Sequence, residues 1–195
     1  MQNNFFALIS RMKYITRWGL MRNTIAENIS EHSLETAFIA HLLAIYRNVR
    51  FGGNIDAERC ALLAMYHDVT EIITGDLPTP VKYYNPEIRS EYDKVEKMAE
   101  KKMLSCLPDD LREYYRPLFS PSENEAELWI LVKAADKLSA LIKCTEERQM
   151  GNQDFIEAEK ATLESIQKMN LPEADEFIRE FLPAYTLTLD AQTRE

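Results

Sequence analysis

The 195-residue chain is predicted to be all-α. Three features carry that reading. Apolar residues recur at helical spacing almost throughout, alternating strand-like patterns are scarce, and with only 5 Gly and 8 Pro the many tight turns of an all-β chain are not written. A composition of 46% hydrophobic and 28% charged residues suits a folded core and is too apolar for a disordered chain. No internal repeat, low-complexity tract or flexible linker divides the chain, so one domain over residues 1–195 is expected. A chain of this length buries roughly 70% of its unfolded surface and needs no disulfides to fold.

A first helix is expected from about Asn4 to Ile15, followed by a loop through Trp18, Gly19 and Asn28. Ser30 reads as the N-cap, with Glu31 in the first turn, of a helix extending towards Arg50. Phe51-Gly52-Gly53-Asn54 is the clearest turn signal in the chain. A third helix, about Asp56 to Thr74, opens on an acidic cap and stops before Gly75. The following Gly75-Asp76-Leu77-Pro78-Thr79-Pro80 is expected to be a stiff loop, because each Pro lacks an N–H donor and biases its predecessor away from helical angles. A charged helix then runs from Pro86 to about Leu107 and a shorter one from Pro108 towards Tyr115, before Pro117 and Pro121 break the chain. Ser122 with Glu125 resembles a capping box opening a long helix to about Met150, which Gly151-Asn152 stops. Two more helices follow, the last ending near Pro183.

The charge balance, 23 Lys+Arg against 32 Asp+Glu, gives a net charge of -9. Four of the cations, Arg11, Lys13, Arg17 and Arg22, lie in the acid-free first 26 residues. The acidic remainder repels a nucleic-acid polymer, whereas a small phosphorylated ligand binds where a metal and a local Arg supply positive charge. The apolar patch Phe5 to Ile9 is too short for a secretory signal, and a single serine, Ser10, does not fit a transit peptide. Apolar runs such as Ile39 to Tyr46 meet a His or a charge long before the ~18 residues of a membrane span. Three widely spaced cysteines, Cys60, Cys106 and Cys144, write neither a disulfide framework nor a zinc knuckle, so a reducing cytoplasm is expected.

Chemistry is concentrated in Tyr66-His67-Asp68-Val69-Thr70-Glu71. On a continuous helix His67 and Glu71 lie one turn apart on one face. The imidazole and Asp68 suit a divalent metal, and Glu71 is placed to take a proton from water; solvated acids near a helix end are the plainer alternative. On the long helix Asp136 has Trp129, Val132 and Ala140 one turn away, while Leu128, Leu131, Ala135, Leu138 and Ile142 form the apolar stripe. A carboxylate in such surroundings needs a metal or a cation, the cation being Lys133 or Lys143. Of the remaining histidines, His32 and His41 are nine positions apart and point to opposite sides of one helix. His32, beside Ser30, Glu31 and Ser33, is expected to be a ligand at a solvent-open site, and His41, among Leu34, Ala37, Phe38 and Ile45, a core residue.

The order His32, His67-Asp68, Asp136 resembles the H…HD…D signature of HD-domain metal-dependent phosphohydrolases. Arg17-Trp18, the segment Glu27 to Ser33, Ala64 to Asp68, Glu71 and the segment Thr74 to Lys82 narrow the likeness to the bacterial HD-domain 5′-deoxynucleotidases. It runs from Phe5 to about Leu189, and HD alone is far less specific than these segments together. The resemblance implies an HD-domain helical bundle in which His32, His67, Asp68 and Asp136 hold one divalent cation, cobalt, manganese or copper. It implies hydrolysis of deoxyribonucleoside 5′-monophosphates to the deoxyribonucleoside and inorganic phosphate, with water as the nucleophile. Glu71 then activates the water, Arg17 orients the phosphate and Trp18 packs on the nucleoside. Asp76, Leu77, Pro78 and Thr79 line the sugar, with His32, Asp68 and Asp136 also facing the substrate. A homodimer is implied as well.

Two rival classes stand beside this one: an HD-domain phosphohydrolase of a cyclic nucleotide, guanosine polyphosphate or triphosphate, and a non-catalytic helical module. A triphosphate calls for more basic residues around the pocket than Arg17 and Lys82. Neither a GxSxG elbow nor a P-loop is present.

Overall fold

The computed structural model describes residues 3–82, 84–120 and 122–193, apart from the side chains of Thr79 and Pro80. Eleven α-helices are described: α1 (Phe5–Ile9), α2 (Ile29–Arg50), α3 (Ala57–Tyr66), α4 (Glu71–Thr74), α5 (Thr79–Lys82), α6 (Pro86–Ser105), α7 (Arg112–Tyr115), α8 (Ala126–Gln149), α9 (Ile156–Gln167), α10 (Pro172–Glu180) and α11 (Leu189–Gln192). The described residues contain no strand, only an isolated antiparallel bridge between Thr16 and Asn28. The predicted all-α fold is therefore observed. No helix among the described residues is long and apolar enough to cross a membrane.

Local chemistry moves several predicted boundaries. The first helix tightens after Ile9 into a 3-10 segment, Ser10–Tyr14. Asn28, not Ser30, caps α2: its Oδ1 accepts from the Ser30 and Glu31 N–H groups, and Glu31 Oε2 accepts from the Asn28 N–H. The turn after α2 is as expected, with Gly52 at φ 70° and the Gly53 N–H bonded to the Arg47 carbonyl at 2.9 Å. Asp56 caps α3 through the Arg59 N–H, and Asn85 caps α6 through that of Ile88. The stiff loop is shorter than predicted, 75–78, because Pro is tolerated in a first helical turn and α5 starts at Thr79. Before α8 the Ser122 hydroxyl bonds the Glu125 carboxylate rather than a backbone N–H, so the predicted capping box is replaced by a 3-10 turn, Glu123–Glu125. Pro121, expected to break the chain there, lies outside the described residues. A 3-10 segment, Leu182–Thr186, and the short α11 extend beyond the predicted end of helix.

The core lies where α2, α3 and α8 meet, with Leu43, Leu63, Leu131, Leu138, Leu141 and Ile142 at no more than 1% exposure. Each such side chain contributes about 1.5–3 kcal/mol on burial. A second cluster joins Phe5, Met12, Ile29, Val69, Met103, Leu104 and Leu107, fastening the N-terminal segment and α6 over the end of α3. The loop carrying Arg17 and Trp18 is thereby held close to the start of α2.

Candidate metal centre

Between α3 and α4 the predicted continuous helix breaks. The N–H groups of Val69, Glu71 and Ile72 bond carbonyls three residues back, the tighter 3-10 pattern. The break turns the His67 ring back onto its own helix, where Nδ1 lies 2.7 Å from the Ala64 carbonyl. A carbonyl only accepts, so Nδ1 carries a proton, and Nε2 is the ring atom left to face the acidic groups or an ion. Asp68 follows in the same turn, its Oδ2 3.1 Å from His67 Nε2.

His32 enters from the first turns of α2. Its Nε2 lies 3.5 Å from Asp68 Oδ2 and 3.1 Å from Oδ1 of Asp136, which α8 supplies. His67 Nε2 lies 4.0 Å from the same Asp136 oxygen. Ligand atoms of His32, His67 and Asp68 thus gather within 4.8 Å of one another, with Asp136 Oδ1 beside both imidazoles. Neither expected counter-cation, Lys133 or Lys143, is paired with Asp136 among the described residues: Lys143 bonds Glu147 and the Ile25 carbonyl, and the cation that approaches Asp136 is Arg17.

His32 is buried at 1% exposure, not solvent-open as expected, whereas the side chain of Asp136 beside it is 39% exposed. His41, expected in the core, is exposed, together with Leu34, Phe38 and Ile45 on the same face of α2. Apolar neighbours one turn away cannot by themselves tell a core face from an uncovered one.

The electrostatics favour a cation at this point. Burial, then the Arg17 charge, push His32 below its ordinary value, leaving a neutral imidazole. Burial also opposes a charge on His67, but the nearby charges of Asp68 and Asp136 outweigh it and raise His67 to about 9, so that without an ion the ring takes a second proton. Asp68 and Asp136 remain below the usual carboxylate range although the surrounding protein disfavours their charge, held by His67 and His32 respectively. His32 Nε2 and His67 Nε2 are buried and make no well-formed hydrogen bond among the described residues. Two imidazole nitrogens and two carboxylates facing one point form a donor set for a divalent transition ion.

Glu71 starts α4 at 9% exposure, its Oε2 without a hydrogen-bond partner among the described residues. Burial, then the charges of Asp68 and Asp76, push its carboxyl up to about 9. Arg17 comes in from the N-terminal loop, Nη1 3.0 Å from Glu27 Oε1 and Nη2 3.9 Å from Asp136 Oδ1. Trp18 sits in the left-handed region at φ 58°, a cost of about 1–2 kcal/mol. Its indole N–H donates to Glu27 Oε2 at 2.8 Å, its ring lies 5.3 Å from that of Phe155, and its backbone N–H reaches Asp76. Half-buried Leu77 and Pro78 follow Asp76; the predicted Thr79 side chain lies outside the described residues.

Three residues join the site that were not assigned roles from the sequence. Glu27 ties Arg17 to Trp18, and Ser139 and Glu35 sit behind His32. Glu27 had a visible signal, as the first acid after an acid-free stretch containing Arg17.

A family model described as 5′-deoxynucleotidase YfbR-like matches residues 4–185. A 5′-deoxynucleotidase from Photorhabdus laumondii is 51% identical over 188 residues, covering 96% of this chain and 95% of the relative. One from Vibrio vulnificus is 50% identical over 189 residues, covering 97% of each. Among solved structures, an HD-domain phosphohydrolase from Listeria innocua superposes with a TM-score of 0.80 at 24% identity, covering 93% of this chain and 88% of that one. The cyanophage S-2L HD phosphohydrolase DatZ, bound to dA and one catalytic Zn2+ ion, superposes with a TM-score of 0.64 at 18% identity over 91% and 95%. At these identities the structural likeness is one of fold.

Proposed function

Since the chain belongs to the YfbR-like 5′-deoxynucleotidase family, we propose that His32, His67, Asp68 and Asp136 hold its divalent ion and that Glu71, Arg17, Trp18 and the loop from Asp76 serve the nucleotide beside it. The protein is a metal-dependent phosphoric monoester hydrolase that releases inorganic phosphate from deoxyribonucleoside 5′-monophosphates. The assignment of ligands is supported by the two Nε2 atoms, neither in a well-formed hydrogen bond, that approach the oxygens of Asp68 and Asp136.

A bound divalent ion supplies charge to neutralise the phosphate and acidifies a water. Around it the side chains divide the work. Arg17, anchored through Nη1 by Glu27, turns its remaining donors to the phosphate oxygens, where a planar guanidinium orients an in-line attack. Burial and the charges of Asp68 and Asp76 favour the neutral carboxyl of Glu71; with those carboxylates offset by the positive charge of a bound ion, the ionised Glu71 takes the proton of the attacking water. Trp18 packs on the nucleoside, Asp76 accepts from the sugar 3′-hydroxyl, and Leu77, Pro78 and Thr79 crowd a 2′-hydroxyl. Of the ions that suit mixed imidazole and carboxylate ligands, cobalt, manganese and copper are those proposed.

In this reading the chain is one HD domain in the cytoplasm, consistent with three buried free thiols, and it works as a homodimer. The exposed face of α2 supports the dimer: Leu34 is 49%, Phe38 68%, Ile45 37% and Val49 75% exposed, with His41 at the middle of the stripe. Uncovered apolar stripes of this kind mark interfaces. Phe38→Glu is expected to halve the mass seen by sedimentation equilibrium; an unchanged mass rejects this face.

The activity is tested by stripping the protein with a chelator, restoring single divalent ions and measuring phosphate release from dAMP and AMP. Release from dAMP, little from AMP, and dependence on the restored ion are expected. No release from any nucleoside monophosphate under any ion overturns the reading.

A further inference from the structure

His32 and Glu35 lie three residues apart on α2, and Asp136 and Ser139 three apart on α8, so each pair shares one helix face. Where the two helices meet, Asp136 takes the Nε2 side of the His32 ring, and Ser139 Oγ stands 3.0 Å from Nδ1 on the other side. Ser139 is fully buried, and its hydroxyl is also 2.5 Å from Glu35 Oε2.

A hydroxyl has one proton to give, and a carboxylate only accepts. With its proton committed to Glu35, the Ser139 oxygen meets His32 through a lone pair and accepts from Nδ1–H. The opposite arrangement, in which Ser139 donates to Nδ1, places a proton on Nε2 and removes His32 from the ligand set. Glu35 is the group that forbids it. We propose that Glu35 and Ser139 are positioning residues that fix the Nδ1–H tautomer of His32 and so present Nε2 to the divalent ion.

The contrast with His67 supplies an internal control. His67 Nδ1 bonds the Ala64 carbonyl, a backbone acceptor that no side-chain substitution removes. The hydrogen bond of His32 Nδ1 depends on a serine backed by a glutamate, both of which substitution can delete, while the Glu27 carboxylate stands farther off at 3.6 Å. The proposal rests on His32 being a ligand, as read above, and the test separates the two ideas.

The tautomer is read in protein labelled with 15N-histidine, where long-range proton–nitrogen correlation spectra need resolve only three histidines. Affinity for Mn2+ is read in parallel by competition with a chelator. The wild type is expected to show His32 and His67 both protonated at Nδ1. Ser139→Ala and Glu35→Ala are expected to lose the Nδ1–H pattern of His32 alone and to weaken Mn2+ binding about 10–100-fold. Turnover in these variants is expected to recover at raised Mn2+, and Glu35→Gln, which keeps an acceptor oxygen, to restore most of the affinity. Melting curves identify a variant that fails to fold, and Glu35→Gln against Glu35→Ala then gives the same comparison without touching the buried serine. A wild-type His32 protonated at Nε2 overturns the proposal whatever the ion does. So do variants with an unchanged His32 spectrum and unchanged Mn2+ affinity. A wild type with His32 in the Nδ1–H form that binds no divalent ion counts against the ligand reading instead, and leaves the tautomer relay standing.

Discussion

His32 Nε2 and Asp136 Oδ1 stand 3.1 Å apart, one on the first turns of α2 and the other midway along α8. The close approach is built by the core itself, since Leu43 on α2 and Leu131 and Leu138 on α8 are all buried without exposure in the same cluster. The packing that stabilises the fold therefore also sets the spacing of these two atoms.

Glu71→Gln keeps the size of the side chain and removes its ability to take a proton. Turnover of dAMP at saturating metal is expected to fall by about 10²–10⁴, with KM and metal affinity close to wild type. Steady-state kinetics and a chelator-competition titration check this, and retained turnover removes Glu71 from the chemistry.

Glu27 joins the two groups assigned to the substrate, with one carboxylate oxygen on Arg17 and the other on the Trp18 indole. Glu27→Ala releases both and leaves Trp18 without one restraint on its left-handed backbone. Its kcat/KM is expected to drop about tenfold to a hundredfold, the worth of a lost charge-assisted hydrogen bond, while metal affinity stays within a few-fold. A loss of metal binding equal to the loss of activity contradicts this division of roles.

Asp76 lies by the Trp18 backbone on the loop after α4. Asp76→Ala is expected to lower kcat/KM for dAMP about tenfold or more and to narrow its advantage over AMP, measured as a ratio in one assay. If the preference for deoxyribose survives intact, the sugar is read elsewhere.

Acid stability is expected to depend on Glu147. Burial opposes its charge, but Lys143, Asn152 and the N–H groups of Thr24 and Ile25 hold it well below its ordinary value of 4.5. A depressed folded value stabilises fully above 4.5, and the contribution is lost as pH falls through the folded value. Glu147→Gln is expected to cost about 3 kcal/mol at neutral pH and progressively less below pH ~4, read from urea midpoints at several pH values. An equal cost across the whole range contradicts the assignment.

Much of this site was legible from residue order. His32, His67-Asp68 and Asp136 were drawn together by the resemblance, and their atoms meet. What could not be read was how the backbone delivers them. The break at residues 67–70 replaces the continuous helix because i→i+3 bonds let His67 reach the Ala64 carbonyl, and no Gly or Pro marks the spot. Asn28 outcompeted Ser30 as the cap because it also gains Glu31 as a partner. His41 and its apolar neighbours misled because helical periodicity reports a stripe, not what covers it. Ser139 and Glu35 were hidden for a different reason: their contacts with His32 depend on the meeting of α2 and α8, although the three-residue spacing from Asp136 and His32 was there to see.

An anomalous-difference map from a crystal of the Mn2+- or Co2+-loaded protein tests the four-ligand centre most directly. A single peak per chain is expected, within about 2.3 Å of His32 Nε2, His67 Nε2 and one oxygen each of Asp68 and Asp136. A peak elsewhere, or one that leaves His32 or Asp136 beyond coordination distance, contradicts it.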